Sequence, residues 1–293
     1  HAGGNDGLPV TIRGGPLRPL RWEMPVSSAQ IKSALLLAGL CGGVEVSVRE
    51  PHGRSRDHTE RLLRVMGYRV DEEPETGWIH LHPDGEVTPF DVTVPGDPSS
   101  AAFLVGAALL AEDGELRITG VGINPTRTGF LKVLERMGAD IEVEQGEDRI
   151  GEPVGDLVVR PVALHATEVA PGEIPGLIDE IPMLAVLASR AEGTTVFREV
   201  GELRVKESDR LRLLANNLQA VGVDARADQN TLWVTGTDQP PVGQVVTEGD
   251  HRIAMAFGVL GTLQGARVAI DDPACAGVSF PGFADTLRAV AVR

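Results

Sequence analysis

Cysteine is nearly absent. Two residues, Cys41 and Cys275, stand in 293 with no C-x-x-C spacing and no Cys/His cluster, so neither a disulfide framework nor a zinc motif is written into the chain. A reducing, cytoplasmic setting is expected from that usage. No apolar run approaches the length of a bilayer crossing, and the opening His-Ala-Gly-Gly-Asn-Asp-Gly has neither the basic nor the apolar part of a signal peptide. Positive charge is also short. With 27 Lys and Arg against 42 Asp and Glu the formal net charge is -15, which argues against a nucleic-acid surface and confines any anion site to a local basic pocket. What the chain does have is 42% apolar residues, enough for one large or two medium globular domains.

The apolar residues recur in blocks. Runs rich in Ala, Leu and Gly at Ser28–Leu40, Ser99–Leu110, Glu180–Ala188 and His251–Leu263 are apolar on nearly every side, and such helices are expected to be buried. Between them lie amphipathic helices with a shared ending: Leu-Leu-Arg-Val-Met-Gly67, Leu-Glu-Arg-Met-Gly138 and Leu-Gln-Ala-Val-Gly222. Each glycine is placed to stop a helix in a left-handed cap, with a strand-like run after it (Tyr68–Val70, Ala139–Val143, Val223–Ala225). A last helix of this kind is expected at Phe283–Val292. Further strands are expected at Val10–Ile12, Val44–Val48, Trp78–Leu81, Val92–Val94, Leu116–Ile118, Leu157–Val159, Leu232–Val234, Val245–Thr247 and Val268–Ile270. The fold class is therefore α/β (α+β), built from strand-helix-strand-strand-helix-strand units at a period of about 70 to 85 residues, with four units in the chain and the last short of its closing strand.

Each buried helix opens on polar residues: Ser27-Ser28, Asp97–Ser100, Asp179-Glu180 and Gly249–Arg252. Ordinary capping accounts for any one of them, and Ser27 with Gln30 reads as a capping box. If the helices pack side by side, however, their amino ends converge, and free N–H groups with aligned dipoles favour an anion there. One amphipathic helix also has an unusual entrance. Glu202–Arg210 packs Arg204, Lys206 and Arg210 against Glu202, Glu207 and Asp209, where cations could hold an anionic substrate while a carboxylate or amine moves a proton. A solvated, self-paired turn is the alternative. His80 and His82 alternate on a strand without a third ligand and make a poor metal site, and His58 reads as structural. The tryptophans Trp22, Trp78 and Trp233 read as packing, and the acidic run Glu142–Glu152 reads as a solvated hairpin loop.

Six segments in order then carry a resemblance: 28–40, Ser-Arg-Asp-His-Thr-Glu (55–60), Gly-Asp-Pro-Ser-Ser-Ala-Ala (96–102), Asp-Glu-Ile-Pro (179–182), Arg-Val-Lys-Glu-Ser-Asp-Arg (204–210) and Asp-His-Arg-Ile-Ala-Met (250–255). From Ser27 onward the chain resembles the enolpyruvyl transferases of the 5-enolpyruvylshikimate-3-phosphate synthase type. The resemblance implies six repeats in two inside-out α/β barrel lobes. It implies attack of the shikimate 3-phosphate 5-hydroxyl on C2 of phosphoenolpyruvate, and no metal or other cofactor. Carried over by position, Asp179, Glu207 and Lys206 are catalytic. Ser28, Ala29, Gln30, Arg56, Asp179 and Lys206 contact shikimate 3-phosphate, and Gln30, Arg210 and Arg252 contact phosphoenolpyruvate.

There are departures from the pattern. Four of the six repeats are present, so 1–88 is expected to be a single repeat of the first lobe and 89–293 a second lobe of three repeats lacking its closing strand. The family's phosphate-binding groups from the first two repeats are missing, so the isolated chain is expected to be inactive. A nicked longer protein, a truncated chain or a separate chain carrying those repeats are the expected explanations. The partners implied are the two anionic substrates, with no nucleic acid and no membrane. A noncatalytic fragment that binds shikimate 3-phosphate or assembles with another chain is one alternative. A UDP-N-acetylglucosamine enolpyruvyl transferase is the other, although neither Cys41 nor Cys275 lies in that enzyme's nucleophile loop.

Overall fold

The computed structural model describes residues 11–51, 54–87 and 89–291. In chain order the elements are β1 (Leu20–Glu23), α1 (Ala29–Gly42), β2 (Val46–Arg49), α2 (His58–Val65), β3 (Arg69–Glu73), β4 (Trp78–His82), α3 (Pro98–Leu109), β5 (Leu116–Gly122), α4 (Gly129–Arg136), β6 (Asp140–Gln145), β7 (Val154–Arg160) and β8 (Glu168–Val169). They continue with α5 (Ile181–Ala188), β9 (Thr194–Phe197), α6 (Arg210–Ala220), β10 (Asp224–Ala227), β11 (Leu232–Thr235), β12 (Val242–Val245), α7 (His251–Leu260), β13 (Arg267–Ile270) and α8 (Phe283–Val290). Short 3-10 turns occupy Pro171–Gly176, Ile178–Glu180, Gly201–Val205 and Pro273–Val278.

The repeat is visible in the pairing. An apolar helix joins two parallel strands three times, β1 to β2 through α1, β8 to β9 through α5 and β12 to β13 through α7. The hairpins β3–β4, β6–β7 and β10–β11 are antiparallel, and each returns its second strand beside the strand that precedes the amphipathic helix. One strand thus separates the two helices of a unit and two follow the second helix. The sequence placed the pair of strands between the helices instead. The three marked glycines do end their helices, with φ of 93° at Gly67, 84° at Gly138 and 91° at Gly222, a region open to glycine at no steric cost.

Two strand expectations fail. Thr11 and Ile12 carry no regular structure, Val10 lies outside the described residues, and the first strand is Leu20–Glu23. Val92–Val94 is not a strand either; the neighbouring Gly96 makes a parallel bridge to Val121 instead. Strands β8 and β9 have no counterpart among the expectations, because two and four residues are too short to show alternation. The last helix ends at Val290, and Val292 is outside the described residues. Of the tryptophans, Trp78 lies beneath the Arg21 guanidinium at 3.8 Å and is nearly buried, whereas Trp22 is 38% exposed.

The residues divide into two compact units, one of His1–Gly53 with Asp57–Phe90 and one of Arg54–Arg56 with Asp91–Arg293. In the second, α3, α5 and α7 pack on one another at the centre, and every residue of α5 is buried. In the first, α1 lies on one sheet, where a Cβ on Gly39 would stand 2.3 Å from Val46 Cγ2. Only Lys32, Leu36 and Gly39 of this helix are buried, while Leu37 is 47% exposed. The expectation that α1 is buried all round is therefore corrected. A helix apolar on every side disappears from solvent only where neighbours cover every side, and among the described residues one face of α1 is covered. Its interior lysine, Lys32, is fully buried and paired with Glu60 at 2.8 Å and Glu50 at 3.1 Å. Burial raises the Glu60 carboxyl against the pull of Lys32.

The joint between α5 and β11 offers a test of the packing. A Cβ on Gly236 would stand 1.7 Å from the Ala191 carbonyl oxygen, whereas one on Gly277 would meet nothing within 4 Å. Gly236→Ala is expected to lower stability in urea unfolding by about 3 kcal/mol, the upper part of the usual overpacking range, with Gly277→Ala near neutral. Equal effects at the two positions would contradict this packing.

Candidate active site

The charged entrance of α6 resolves into two populations. Arg204 and Lys206 are partly exposed and paired locally, Arg204 donating to Asp209 at 2.9 Å and to the Gln229 carbonyl at 3.1 Å, and Lys206 to Glu202 at 2.5 Å. To that extent the turn is self-paired. Arg210 is different: it is the first residue of α6, the cap Asp209 accepts the Arg212 amide, and the Arg210 side chain turns inward with no exposure.

Arg210 sits among three carboxylates. Its Nε donates to Asp250 Oδ2 at 2.8 Å, its Nη1 lies 3.5 Å from Asp179 Oδ1, and its Nη2 lies 2.6 Å from Glu207 Oε2. Asp250 is held from two sides. One oxygen caps α7 by accepting the amides of Arg252 and Ile253, and the other accepts Ser208 Oγ at 2.8 Å as well as Arg210. Burial pushes the Asp250 carboxyl up, but these donors, led by Arg210, hold it below its ordinary value.

Asp179 belongs to the 3-10 turn that leads into α5. Arg56 approaches it at 3.8 Å and Arg252 at 3.9 Å, while Arg252 Nη1 donates to its carbonyl oxygen at 3.0 Å. Burial again raises the carboxyl, yet the charges of Arg252, Arg56, Lys206 and Arg127 outweigh it and keep Asp179 ionised below the usual carboxylate range. The next residue, Glu180, goes the other way. Fully buried, it is pushed up despite Arg127 and a hydrogen bond from Ser99. Burial and then Arg252 also hold His251 below its usual value.

The starts of α3, α5 and α7 do converge. Ser99 in α3 reaches Glu180 ahead of α5, and Arg252 in α7 reaches Asp179. The terminal nitrogens of Arg210 meet Asp179 and Glu207 as ion pairs, whereas Nε of Arg252 is buried without a hydrogen-bond partner, which is costly unless an anion satisfies it. Asp179 and Glu207 lie against the same guanidinium, so two carboxylates flank one arginine. No group of three or more His, Cys, Asp or Glu able to hold a metal occurs among the described residues.

Six of the expected site residues, Arg56, Asp179, Lys206, Glu207, Arg210 and Arg252, thus fall in one unit, five of them in mutual reach through Asp179. Ser28, Ala29 and Gln30 fall in the other, at the start of α1. There the cap is Ser28, which accepts the Ile31 amide at 3.4 Å, rather than the Ser27 and Gln30 box. Sequence reasoning read Asp250 only as a cap and gave no role to Arg127. The Asn124-Pro125-Thr126-Arg127 turn was the available signal, since Asn124 accepts from Thr126 and its amide donates to the buried Glu152 at 2.8 Å. Glu152 is therefore not part of a solvated loop as its acidic neighbours suggested. Cys275 is buried, donates to the Asp272 carbonyl and is pushed further from thiolate by burial, which does not suit a nucleophile.

Comparison with solved structures sets the class first. An enolpyruvyl transferase, NikO from Streptomyces tendae, superimposes with a TM-score of 0.69 over 88% of this chain and 58% of that one at 23% identity, a likeness of fold. EPSP synthase from Acinetobacter baumannii superimposes at 0.83 over 94% of this chain and 63% of that one, with 37% identity. The EPSP synthase (3-phosphoshikimate 1-carboxyvinyltransferase) family matches residues 2–287, and the chain belongs to that family. Relatives named 3-phosphoshikimate 1-carboxyvinyltransferase are 48% identical in Caulobacter vibrioides, over 96% of this chain and 65% of the relative, and 44% identical in Citrifermentans bemidjiense, over 99% and 67%. The chain thus spans about two thirds of the length of the curated relatives it matches.

The site makes a pH prediction. A carboxyl depressed in the folded state stabilises the fold above its unfolded pKa, and the contribution is lost as pH falls through the folded value. Asp179→Asn should therefore cost about 1–3 kcal/mol at pH 7 in urea unfolding, with the gap closing below the ordinary carboxylate range. A gap that is the same at pH 7 and pH 3 would mean that Asp179 is not held by the arginines.

Proposed function

We propose that the protein to which this chain belongs transfers the enolpyruvyl group of phosphoenolpyruvate to the 5-hydroxyl of shikimate 3-phosphate and releases inorganic phosphate. The observation that carries this reading is the cluster of Asp179 with Arg56, Arg210 and Arg252, three guanidinium groups gathered on one carboxylate, with Arg252 Nε buried and without a hydrogen-bond partner. Asp179 accepts the 5-hydroxyl proton as that oxygen attacks C2, and Glu207 with Lys206 serves the proton that C3 gains and then loses as phosphate leaves. Arg210 and Arg252, with Gln30, hold the carboxylate and phosphate of phosphoenolpyruvate. Ser28, Ala29, Gln30, Arg56 and Lys206 hold shikimate 3-phosphate alongside Asp179. No metal or organic cofactor enters the scheme.

The domain reading follows from the same family. Residues 1–88 form one repeat of a first lobe and 89–293 the three repeats of a second. The cluster alone is under-charged for both substrates. Arg56, Lys206, Arg210 and Arg252 stand against Asp179, Glu202, Glu207 and Asp250, leaving no net positive charge for two phosphates and a carboxylate. A polypeptide of only these residues is therefore turnover-incompetent, with the remaining cations supplied by the third of the relatives' length outside the match. The exposed apolar side of α1 favours a second reading in which this chain assembles with such a segment and binds substrate without turnover by itself. The buried Cys275 disfavours the UDP-N-acetylglucosamine enzyme.

Incubation of the full-length protein with both substrates is expected to release inorganic phosphate in step with consumption of shikimate 3-phosphate, and Asp179→Ala to lower kcat about 10²- to 10⁴-fold. Phosphate release that is indifferent to shikimate 3-phosphate, or none with both present, would overturn the assignment. Turnover by residues 1–293 alone would overturn the charge argument.

A further inference from the structure

Beneath Asp179 lies a second charged cluster to which the proposed chemistry gives no task. Arg127 is 6% exposed, and its Nη2 donates to Ser99 Oγ at 2.5 Å. Ser99 in turn donates to Glu180 Oε1 at 2.5 Å, and Arg127 Nη2 stands 3.5 Å from that same oxygen and 3.6 Å from Asp97 Oδ1. Glu180 Oε2 is buried with no partner. The whole attachment of this carboxyl is therefore the Ser99 hydroxyl and the Arg127 charge behind it. Arg127 itself is fixed by the Asn124 turn, whose carbonyl accepts the Arg127 amide at 2.8 Å.

Glu180 is the residue after Asp179, in the same single 3-10 turn. Two consecutive carboxyls in one buried turn repel each other if both ionise, and the closer pair raises the proton affinity of each. A cation placed on the far side of Glu180 relieves that repulsion. The Arg127, Ser99 and Glu180 chain also ties the turn to the starts of α3 and α4, so it sets where Asp179 points. Resting on the reading of Asp179 as proton acceptor, we propose that Arg127 is a positioning residue that acts through Ser99 and Glu180 to orient Asp179 and keep its carboxylate available. It touches neither substrate.

The charged groups that face Asp179 are Arg56 ahead of α2, Lys206, Glu207 and Arg210 from the α6 entrance, Arg252 from α7, and Glu180 on its own turn. Arg127 contributes to the depression of the Asp179 carboxyl from further away, and Asp179 raises Glu180. A role confined to packing α3 against α4 predicts a loss of stability and nothing more. The positioning role predicts a change at Asp179.

The test follows the Asp179 carboxyl by carbon NMR across pH in the full-length protein, with the signal identified by its loss in Asp179→Asn. In Arg127→Gln the titration is expected at higher pH than in the wild type. Arg127→Lys is expected to restore part of the shift. An unchanged Asp179 titration in folded Arg127→Gln overturns the proposal. Should that variant not fold, Ser99→Ala decides, since it cuts the hydrogen bond that ties Glu180 while leaving the Arg127 charge in place, and an unchanged Asp179 titration there overturns the proposal equally. In turnover, Arg127→Gln is expected to lower kcat about tenfold on the acidic limb, the equivalent of one pH unit, with KM for either substrate changed less than about twofold. Shifted titrations in a protein that releases no phosphate would count against the proposed reaction while leaving the positioning of Asp179 intact.

Discussion

The bond from Arg210 to Asp250 is the constraint on which the site depends. Arg210 has no exposure and Asp250 is 1% exposed, so each is an ion that the interior tolerates only with the other in place. Removing one member of such a pair costs about 3–5 kcal/mol, because the survivor is left charged and dry. Asp250 also caps α7, so the same carboxylate fixes the axis of a central helix and the direction of the guanidinium. With its Nε tied down, Arg210 presents its two remaining nitrogens toward Asp179 and Glu207. The anion-ready edge is a by-product of how α6 and α7 are joined.

Around that pair the repeat does the rest. Three copies of a helix-first unit bring the amino ends of α3, α5 and α7 together, and every one of those ends carries a side chain that reaches into a neighbour. Ser99 meets Glu180, Arg252 meets Asp179, and Asp250 meets Arg210. Helix dipoles pointing into one place favour negative charge there. The chain, at -15 overall, brings Arg56, Arg210 and Arg252 to that place, while pairs elsewhere such as Arg198 with Glu168 are exposed and weak.

Much of this was legible in residues 28–290. The glycine-ended helices announced themselves because a left-handed cap demands that residue type, and three of the four apolar helices are buried as their composition implied. The residues from Arg56 to Arg252 were named through the resemblance carried by short motifs, and the structure brings Arg56, Arg210 and Arg252 to Asp179. Three things were not legible. The exposure of α1 depends on what covers it, which composition does not encode. Strands as short as β8 have no period to detect. Arg127 acts across 53 residues of chain on Glu180, through a serine that looked like part of a cap, and such pairings exist only once α3, α4 and α5 are packed.

The most direct test of the account is the structure of the full-length protein with shikimate 3-phosphate and phosphoenolpyruvate, or an unreactive analogue of the latter, bound together. The account places a shikimate hydroxyl within hydrogen-bond distance of the Asp179 carboxylate, with anionic oxygens of the second ligand on the terminal nitrogens of Arg210 and on Arg252. Ligands held on another face, with those nitrogens meeting no ligand and Asp179 untouched, would contradict it.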